Sequence, residues 1–343
     1  AYVENYPGAI EKAFPNTRLA VIDPPLLTEK PNANNDTLIY TILGFVLGFA
    51  LACFFIVLSV IIKDTIKSSD EVSEKLNVAL LGSINKVNSK SKNDSKQGVL
   101  VTDKKTGFSF IESYKLVRTK IEYASAKKGY KTIVVSSTTE SEGKTTTATN
   151  IALSLAQNGK SVLLIDADLR KPAVAKTLGF AATDDEGICG IISGDKTLKE
   201  SIKYSEKYQL FVLVSGKAVD NSSEILSSPK MEEIIESAKK EFDFVIIDTA
   251  PCGILADAAI VAGYADTSVI VVKQDCAPAR KIKRAIDNIE NSGIEILGCI
   301  YNNAERSFGK PSFYGKKSGY DYGYGYSYGG SSVNSKHNDK QSR

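Results

Sequence analysis

The stretch KTIVVSSTTESEGKTTTATNIALSLAQ, residues 131–157, joins a short apolar run, a polar loop and a segment of helical periodicity. The loop ends in Gly143, Lys144 and Thr145. A helix that begins directly after such a loop points free backbone N–H groups at an anion. Gly143 would let the backbone approach a phosphate, Lys144 would reach its oxygens as a point charge, and the Thr145 hydroxyl would bind Mg²⁺. The stretch therefore predicts a strand, a phosphate-binding loop and a helix in succession.

The match to the phosphate-loop pattern GxxxxGK[ST] is incomplete. Thr138 stands where the first glycine belongs, and Glu140 and Glu142 bring two carboxylates close to the expected phosphate position. Gly-Lys-Thr alone is a weak signal, so the prediction of a nucleotide site depends on what the other strands carry.

Two further apolar runs end in acidic residues. VLLIDADLRKP carries Asp166, Asp168 and Arg170, and FVIIDTAP carries Asp248. Ligands of open parallel sheets bind at the carboxyl ends of the strands, where a nucleophile and Mg²⁺ would also be handled. The alternative is that aspartates at strand ends only cap helices. Capping would explain one such motif, but it does not easily explain a phosphate loop followed by two acidic strand ends in this order. Together the motifs predict a site for ATP and Mg²⁺.

Short apolar runs alternate with amphipathic segments from about residue 131 onward. Runs this apolar indicate strands covered on both faces, and their alternation with helices predicts a mostly parallel sheet. The predicted strands are TIVVSS, SVLLID, LFVLVS, FVIID, SVIVVK and IEILGCIYN. The predicted helices include Thr145–Gln157, Ser228–Glu241 and Arg280–Ser292. The predicted fold class is α/β, P-loop NTPase-like, with a mostly parallel sheet flanked by helices.

A transmembrane helix is predicted ahead of this unit. Leu38–Ile62 is 25 residues long without a charge, and roughly 20 residues suffice to cross a bilayer. Lysines follow the span more closely than they precede it, which favours a cytoplasmic carboxyl-terminal side at the cell membrane. The predicted layout is an extracytoplasmic stalk at 1–37, the transmembrane helix at 38–62, a junction and linker at 63–98, the folded domain at 99–303 and a tail at 304–343.

Composition excludes several classes of function. The 343 residues carry a net charge of only +3, so no nucleic-acid partner is expected. The lone histidine, His337, lies in the polar tail, which argues against a histidine base or a histidine-rich metal site. The five cysteines are far apart and include no CxxC pair, so we interpret them as reduced and structural.

The tail contains a row of tyrosines among glycines, FYGKKSGYDYGYGYSYGG at residues 313–330. So little aliphatic content predicts a disordered segment without a packed core. The candidate phosphoacceptors are Tyr314, Tyr320, Tyr322, Tyr324, Tyr326 and Tyr328. From residue 306 onward the tail carries seven Lys or Arg and two Asp, a net charge of +5, which a few phosphates would reverse. The alternative is a sticky low-complexity tail.

These features resemble the bacterial tyrosine kinases of capsular and extracellular polysaccharide assembly, in which a P-loop kinase domain is linked to a polysaccharide co-polymerase membrane domain. The resemblance covers about residues 9–330. It rests on the phosphate loop, on the Walker-type strands that end in DADLR and DTAP, and on the closing tyrosine cluster. The phosphate loop departs from the family, which usually has Pro-Gly where this chain has Glu140-Ser141.

The resemblance implies roles for individual residues. The implied ATP contacts are Glu142, Gly143, Lys144, Thr145, Thr146 and, near the adenine, Asn302. The implied Mg²⁺ ligands are Thr145, Asp166, Asp168 and Asp248, and the implied catalytic set is Lys144, Asp166, Asp168, Arg170 and Asp248. Asp166 would orient or deprotonate the attacking tyrosine hydroxyl. Arg170 would stabilise the transferring charge or position Asp166, and the sequence leaves both roles open.

The resemblance also implies self-association. The family carries an ExxRxxR-like helix that assembles rings of subunits. FIESYKLVRTKI supplies Glu112, Lys115 and Arg118 at the matching positions, with lysine in place of one arginine. A solvated amphipathic helix is the alternative. The further implied partners are the polysaccharide polymerisation and export machinery, a tyrosine phosphatase and the membrane.

The predicted function is an ATP-dependent protein-tyrosine autokinase. It would phosphorylate its own tyrosine cluster in trans and so regulate the assembly, export or chain length of a polysaccharide. Two alternatives stay open. The domain could be a membrane-bound ATPase whose tail only binds proteins, or an ATP-binding co-polymerase scaffold that barely turns over.

Overall fold

Eight strands form one sheet in the part of the chain that the structure describes. The computed structural model describes residues 36–87, 98–103, 106–180, 183 and 186–304. The strands are β1 (Leu80–Asn85), β2 (Thr132–Ser137), β3 (Val162–Asp166), β4 (Lys203–Ser205), β5 (Leu210–Leu213), β6 (Phe244–Asp248), β7 (Thr267–Lys273) and β8 (Glu295–Ala304). Every residue of β2, β3 and β6 is buried, as their uninterrupted apolar runs predict for strands covered on both faces.

The strand order in the sheet is β1-β8-β7-β2-β6-β3-β5-β4. Neighbouring strands are parallel except β4, which pairs antiparallel with β5. β6 lies between β2 and β3, and its last residue, Asp248, pairs with Val135 of β2 and Asp166 of β3. The carboxyl ends of these strands therefore meet at one end of the sheet, and the predicted mostly parallel sheet is confirmed.

Helices cover both faces of the sheet. The helices of the described residues are α1 (Asp36–Lys63), α2 (Ser69–Leu76), α3 (Phe108–Lys128), α4 (Lys144–Gln157), α5 (Val174–Leu178), α6 (Gly187–Ser193), α7 (Leu198–Ser201), α8 (Ser222–Leu226), α9 (Pro229–Glu241), α10 (Asp257–Ala262) and α11 (Ala279–Glu290). α3 and α4 bury Tyr114 and Leu153 in the core on one face. α2, α9 and α11 bury Leu76, Ile235 and Ile282 in the core on the other. This three-layer arrangement confirms the predicted α/β class.

Part of the predicted junction and linker, residues 63–98, belongs to the folded unit. β1 pairs in parallel with β8, and Ile66 is buried in the core beside α2. The unit therefore begins before residue 99, the predicted boundary. The sequence pattern missed β1 because it is an edge strand in which only Leu81 and Ile84 are buried. Ala304, assigned by prediction to the tail, is the last residue of β8.

α1 contains the predicted transmembrane helix. Among the described residues, Thr37–Leu58 is the segment long and apolar enough to cross a membrane, and none of it is buried against the protein. An all-apolar helix in a soluble domain would be buried in the core. Its exposed side chains, such as Phe45 at 75%, therefore fit a bilayer. Residues 1–35 of the predicted stalk and 305–343 of the predicted tail lie outside the described residues.

Candidate active site

The phosphate loop between β2 and α4 has an unusual backbone. Gly143 has a φ of 94° and Ser141 a φ of 62°, both in the left-handed region. Glycine adopts this region freely, whereas the β-carbon of any other residue is crowded there. Ser141 occupies the position where glycine was expected from the family resemblance. The loop thus keeps a glycine conformation with a residue that disfavours it.

Asn302 holds this loop from the end of β8. Its Nδ2 donates a hydrogen bond to the carbonyl oxygen of Glu142 at 2.7 Å. A β-carbon at Gly143 would overlap the same nitrogen and displace Asn302 from the loop, while the positive φ itself favours glycine. The observed contact of Asn302 is with the loop, and its contact with adenine stays a prediction.

The two glutamates of the loop lie in different environments. Glu142 is fully buried; its Oε2 accepts a hydrogen bond from the backbone nitrogen of Thr139 at 2.8 Å, and its Oε1 has no partner within the described residues. Burial raises the pKa of Glu142 to about 7. Glu140 is exposed and forms an ion pair with Lys171 at 2.7 Å. The charge that the sequence brings near the phosphate position is therefore reduced at Glu142 and paired at Glu140.

Lys144 lies among buried aspartates at the carboxyl ends of β3 and β6. Its Nζ is 2.6 Å from Asp168 Oδ2 and 4.0 Å from Asp248 Oδ1. Asp166, Asp168 and Asp248 are 1%, 3% and 0% exposed. Burial by itself would lower the pKa of Lys144, but attraction to Asp248 and Asp168 outweighs it and raises that pKa. Lys144 is therefore held as a cation at the start of α4.

Asp166 is oriented by backbone N–H groups. Its Oδ2 accepts hydrogen bonds from the nitrogens of Ala173 at 3.1 Å and Val174 at 2.9 Å. Asp166 therefore caps α5, so the capping alternative holds for this residue. Burial, with repulsion from Asp248, raises the pKa of Asp166. A fixed carboxylate whose proton affinity is raised toward neutral pH is suited to act as a general base.

Asp248 is the carboxylate whose hydrogen bonding is unsatisfied. Both of its oxygens are buried, and neither has a hydrogen-bond partner among the described residues. Burial raises its pKa, although Lys144 and the nearby Thr145 hydroxyl oppose the shift. Lys144, 4.0 Å away, is near enough for an ion pair but not for a hydrogen bond. A buried carboxylate without hydrogen bonds is unfavourable, and a hard divalent cation is a ligand that would satisfy it.

Thr145, Asp168 and Asp248 offer only oxygen donors, which suits Mg²⁺ rather than a softer metal. The described residues contain no group of three or more His, Cys, Asp or Glu arranged to hold a metal by themselves. Mg²⁺ in phosphoryl-transfer sites uses one or two carboxylates together with substrate phosphates. The donor set therefore fits Mg²⁺ bound with a nucleotide.

Arg170 is tied to a residue that the sequence analysis missed. Its Nε lies 3.1 Å from Oδ2 of Asp257, the first residue of α10, which is fully buried. The hydroxyls of Ser222 and Ser223 donate hydrogen bonds to the same carboxylate. Although burial opposes it, these hydrogen bonds lower the pKa of Asp257. In the sequence, Asp257 is only an acidic residue near a helix start, so no pattern marks it as a partner of Arg170.

The residues predicted for self-association lie on α3. Lys115 forms an ion pair with Glu112 at 2.7 Å within the same helix. Arg118 donates a hydrogen bond to the carbonyl oxygen of Ser154 on α4 at 3.1 Å. Arg118 is thus engaged within its own chain, whereas Glu112 and Lys115 lie at the surface. The predicted tyrosine cluster lies outside the described residues.

The fold and the site together define a P-loop protein equipped for phosphoryl transfer. Residues 130–293 match the family described as AAA domain. The chain is 35% identical over 210 residues to the tyrosine-protein kinase YwqD of Bacillus subtilis (strain 168), a match that covers 61% of this chain and 88% of that protein. It is 36% identical over 210 residues to the tyrosine-protein kinase CpsD of Streptococcus agalactiae, covering 60% and 90%. The crystal structure of the chimerical protein CapA2B2 aligns with a TM-score of 0.63 at 27% identity, over 70% of this chain and 100% of that one.

The chain belongs to the bacterial tyrosine-protein kinases, and it is an enzyme of that class. The family resemblance inferred from the motifs is confirmed. The comparisons do not test the predicted fusion to a co-polymerase domain, which stays a prediction.

Proposed function

We propose that the chain is an ATP- and Mg²⁺-dependent tyrosine autokinase that acts in the assembly of a capsular or extracellular polysaccharide. One observation carries the proposal: a cationic lysine at the end of a phosphate loop lies among buried aspartates, one of which, Asp248, has no hydrogen-bond partner among the described residues. Phosphoryl transfer depends mainly on positioning and on neutralising phosphate charge. A lysine and oxygen donors suited to a divalent cation supply both.

Mg²⁺, when bound, would neutralise charge on the phosphate oxygens during transfer. The Thr145 hydroxyl and the carboxylates of Asp168 and Asp248 would hold it, and Asp166 borders the same position. Lys144 would leave Asp168 to bind the phosphate oxygens of ATP. The backbone N–H groups of the loop and of the first turn of α4, from Glu142 to Thr146, would bind the remaining oxygens.

Asp166 would accept the proton of the tyrosine hydroxyl. As that oxygen forms its bond to the γ-phosphorus, the bond from the γ-phosphorus to the β,γ-bridging oxygen breaks and ADP leaves. A phenol with a pKa near 10 can serve because the transition state demands little nucleophilic strength. Arg170, anchored by Asp257, belongs to the loop that follows Asp166 and Asp168, and would stabilise charge on the transferring group.

The acceptors would be the six tyrosines from Tyr314 to Tyr328. A glycine-rich tail can enter the site of a neighbouring subunit without steric conflict, which favours transfer in trans. Each phosphate adds about −1.5 to −2 charges, so a few would reverse the tail's net charge of +5. The unmodified tail would support a ring of subunits, with α3 and its Glu112 and Lys115 at the contact, and phosphorylation would dissociate it. A phosphatase would reset the cycle, which would control polymer export or chain length.

α1 would anchor the chain in the cell membrane with the kinase domain in the cytoplasm. The apolar side chains of Thr37–Leu58 support a membrane position, and the need for ATP supports the orientation. Residues 1–37 would then be extracytoplasmic, as the end of a co-polymerase domain.

Phosphotyrosine mapping of the full chain after incubation with γ-labelled ATP and Mg²⁺ tests the proposal. Label should appear on the six tail tyrosines and be absent from the Lys144→Met variant. Free phosphate without tyrosine label would instead support the ATPase alternative. ATP binding with neither product would support the scaffold.

Transfer in trans has a separate test. The Lys144→Met chain, which retains its tyrosines, is mixed with an active chain whose six tail tyrosines are replaced by phenylalanine. Label on the Lys144→Met chain would demonstrate transfer between subunits, and its absence would restrict transfer to one chain. Equal subunit numbers for phosphorylated and unphosphorylated samples in light scattering would exclude the proposed ring cycle.

A further inference from the structure

The first two turns of α11 carry a cluster of positive charge. Arg280, Lys281, Lys283 and Arg284 are all exposed, and none forms an ion pair within the described residues. The opposite face of the helix is buried in the core through Ala279, Ile282, Ala285, Ile286 and Ile289. The four cations therefore form one solvent-facing surface on a helix that the core holds in place.

The chain ties this cationic face to the end of the predicted membrane span. Lys63 is the last residue of α1, and the next residue, Asp64, accepts a hydrogen bond from the backbone nitrogen of Ala279 at 2.9 Å. Thr65 adds an antiparallel bridge to Pro278 and a side-chain hydrogen bond to Asp275. The start of α11 is thus fastened to the residues that immediately follow α1.

The cations lie close to this attachment. Arg284, the most distant, is an axial rise of about 7.5 Å from Ala279, whereas Glu290 at the end of the helix is about 16 Å away. The Debye length is about 8 Å at physiological ionic strength. The four cations therefore lie nearer to the attachment along the helix axis than Asp287 and Glu290, and within about one Debye length of it.

The order of charges along α11 is opposite to the one that favours the helix. A helix dipole stabilises acids in the first turn and bases in the last. α11 has no acid in its first turn and no base in its last turn. The helix keeps this unfavourable order of charges, and no ion pair within the described residues offsets it at the four cations. Such an arrangement indicates a binding role for the cations.

Two of the acidic residues near the attachment are paired with a lysine of α2 rather than with the cations of α11. Lys75 of α2 forms ion pairs with Asp64 at 2.7 Å and Glu71 at 3.3 Å. Asp70 and Glu74 are exposed on α2, and neither forms an ion pair with α11 within the described residues. The helix packed beside α11 therefore forms no ion pair with its cations within the described residues.

We propose that the cationic face of α11 binds anionic lipid headgroups at the inner surface of the membrane that α1 spans. This rests on the membrane anchoring put forward as part of the proposed function, and it adds a second, electrostatic contact that holds the kinase domain against the bilayer. Phosphate-bearing headgroups supply the chemistry, since arginine and lysine near a negative leaflet are attracted within a Debye length of its surface.

Lysine acetylation footprinting of the full chain in nanodiscs tests the proposal. Discs of phosphatidylcholine alone are compared with discs containing about one third phosphatidylglycerol, without ATP. Modification of Lys281 and Lys283 should fall about fivefold in the anionic discs and recover in about 1 M NaCl, where the Debye length is about 3 Å. Lys160 is the internal control, because it is exposed before β3, at the opposite end of the sheet from the loop that leads to α11.

A charge-reversed chain completes the test. Arg280→Glu combined with Arg284→Glu should abolish the lipid-dependent protection, whereas Lys160→Glu should leave it intact. Tail labelling by both variants in detergent should match the wild type, which shows that they fold. Equal modification of Lys281 and Lys283 in both kinds of disc would overturn the inference while leaving the anchoring intact.

Two further outcomes would also overturn it. If the chain fails to enter discs at all, the proposed anchoring fails and this inference fails with it. If an anionic polysaccharide added to neutral discs protects Lys281 and Lys283 while phosphatidylglycerol does not, the face binds a soluble polyanion instead.

Discussion

Replacing Glu142 by glutamine should make the stability of the domain less dependent on pH. Glu142 is fully buried in the phosphate loop, with one oxygen on the nitrogen of Thr139 at 2.8 Å and the other without a partner within the described residues. Burial raises its pKa from an ordinary 4.5 to about 7. Between these values the folded protein keeps a proton that the unfolded chain has lost, so the free energy of unfolding falls as pH rises.

The expected magnitude follows from the two pKa values. One pKa unit corresponds to 1.36 kcal/mol, so the difference between 4.5 and about 7 lowers the free energy of unfolding by about 3 kcal/mol when Glu142 is ionised. This loss of stability is absent below pH 4.5, grows between pH 4.5 and about pH 7, and is complete above pH 7. Glutamine stays neutral throughout while its side-chain oxygen can still accept from Thr139. The advantage of the variant over the wild type should therefore grow by up to about 3 kcal/mol across the window.

Urea unfolding of the full chain in mild detergent, repeated from pH 5 to pH 8.5, measures this difference. Other carboxylates titrate as well, so only the wild-type-to-variant difference at each pH is informative. Glu140→Gln is the matched control, because Glu140 lies in the same loop but is exposed and paired with Lys171. Its difference from the wild type should stay within about 1 kcal/mol and show no trend. A flat difference for Glu142→Gln, or the same slope for both variants, would refute the reasoning.

Two other substitutions test the site. Ser141→Gly should raise the free energy of unfolding by up to about 1.6 kcal/mol, since it removes about 1–2 kcal/mol of left-handed strain and loses about 0.4–1 kcal/mol of this through the freer unfolded chain. Thermal unfolding should show the gain, and Ser141→Ala, which keeps the β-carbon, should lack it. Asp257→Asn should weaken the charged anchor of Arg170, reducing stability by about 1–3 kcal/mol and lowering kcat for tail labelling. An unchanged kcat would argue against a role for Arg170 in transfer.

The elements predicted most closely are those whose signal is local. The run TIVVSS coincides with β2, and the helix predicted at Thr145–Gln157 begins one residue earlier, at Lys144. A strand buried on both faces must be apolar throughout, so it is visible in the sequence. β4 and β1 were missed because they lie at the two edges of the sheet, where incomplete burial leaves a weaker pattern, and β4 is only three residues long.

The candidate site was predicted in its parts. Lys144 was found from the Gly-Lys-Thr that ends the phosphate loop, and the three aspartates were found because they follow apolar runs. Parallel strands bring their carboxyl ends to the same end of the sheet. Their distances, and the absence of a hydrogen bond to Asp248 among the described residues, depend on β6 lying between β2 and β3. No local pattern specifies that order.

The sequence by itself determined the α/β class, the phosphate loop and the acidic strand ends of this kinase, because hydrophobic periodicity and strand-end chemistry are properties of neighbouring residues. Tertiary structure decided which distant residues support them. Arg170 meets Asp257, Asn302 holds the loop at Glu142, and Asp64 fastens α11 to the end of α1. Each of these contacts joins residues far apart in the chain, so it exists only once the sheet has set their positions.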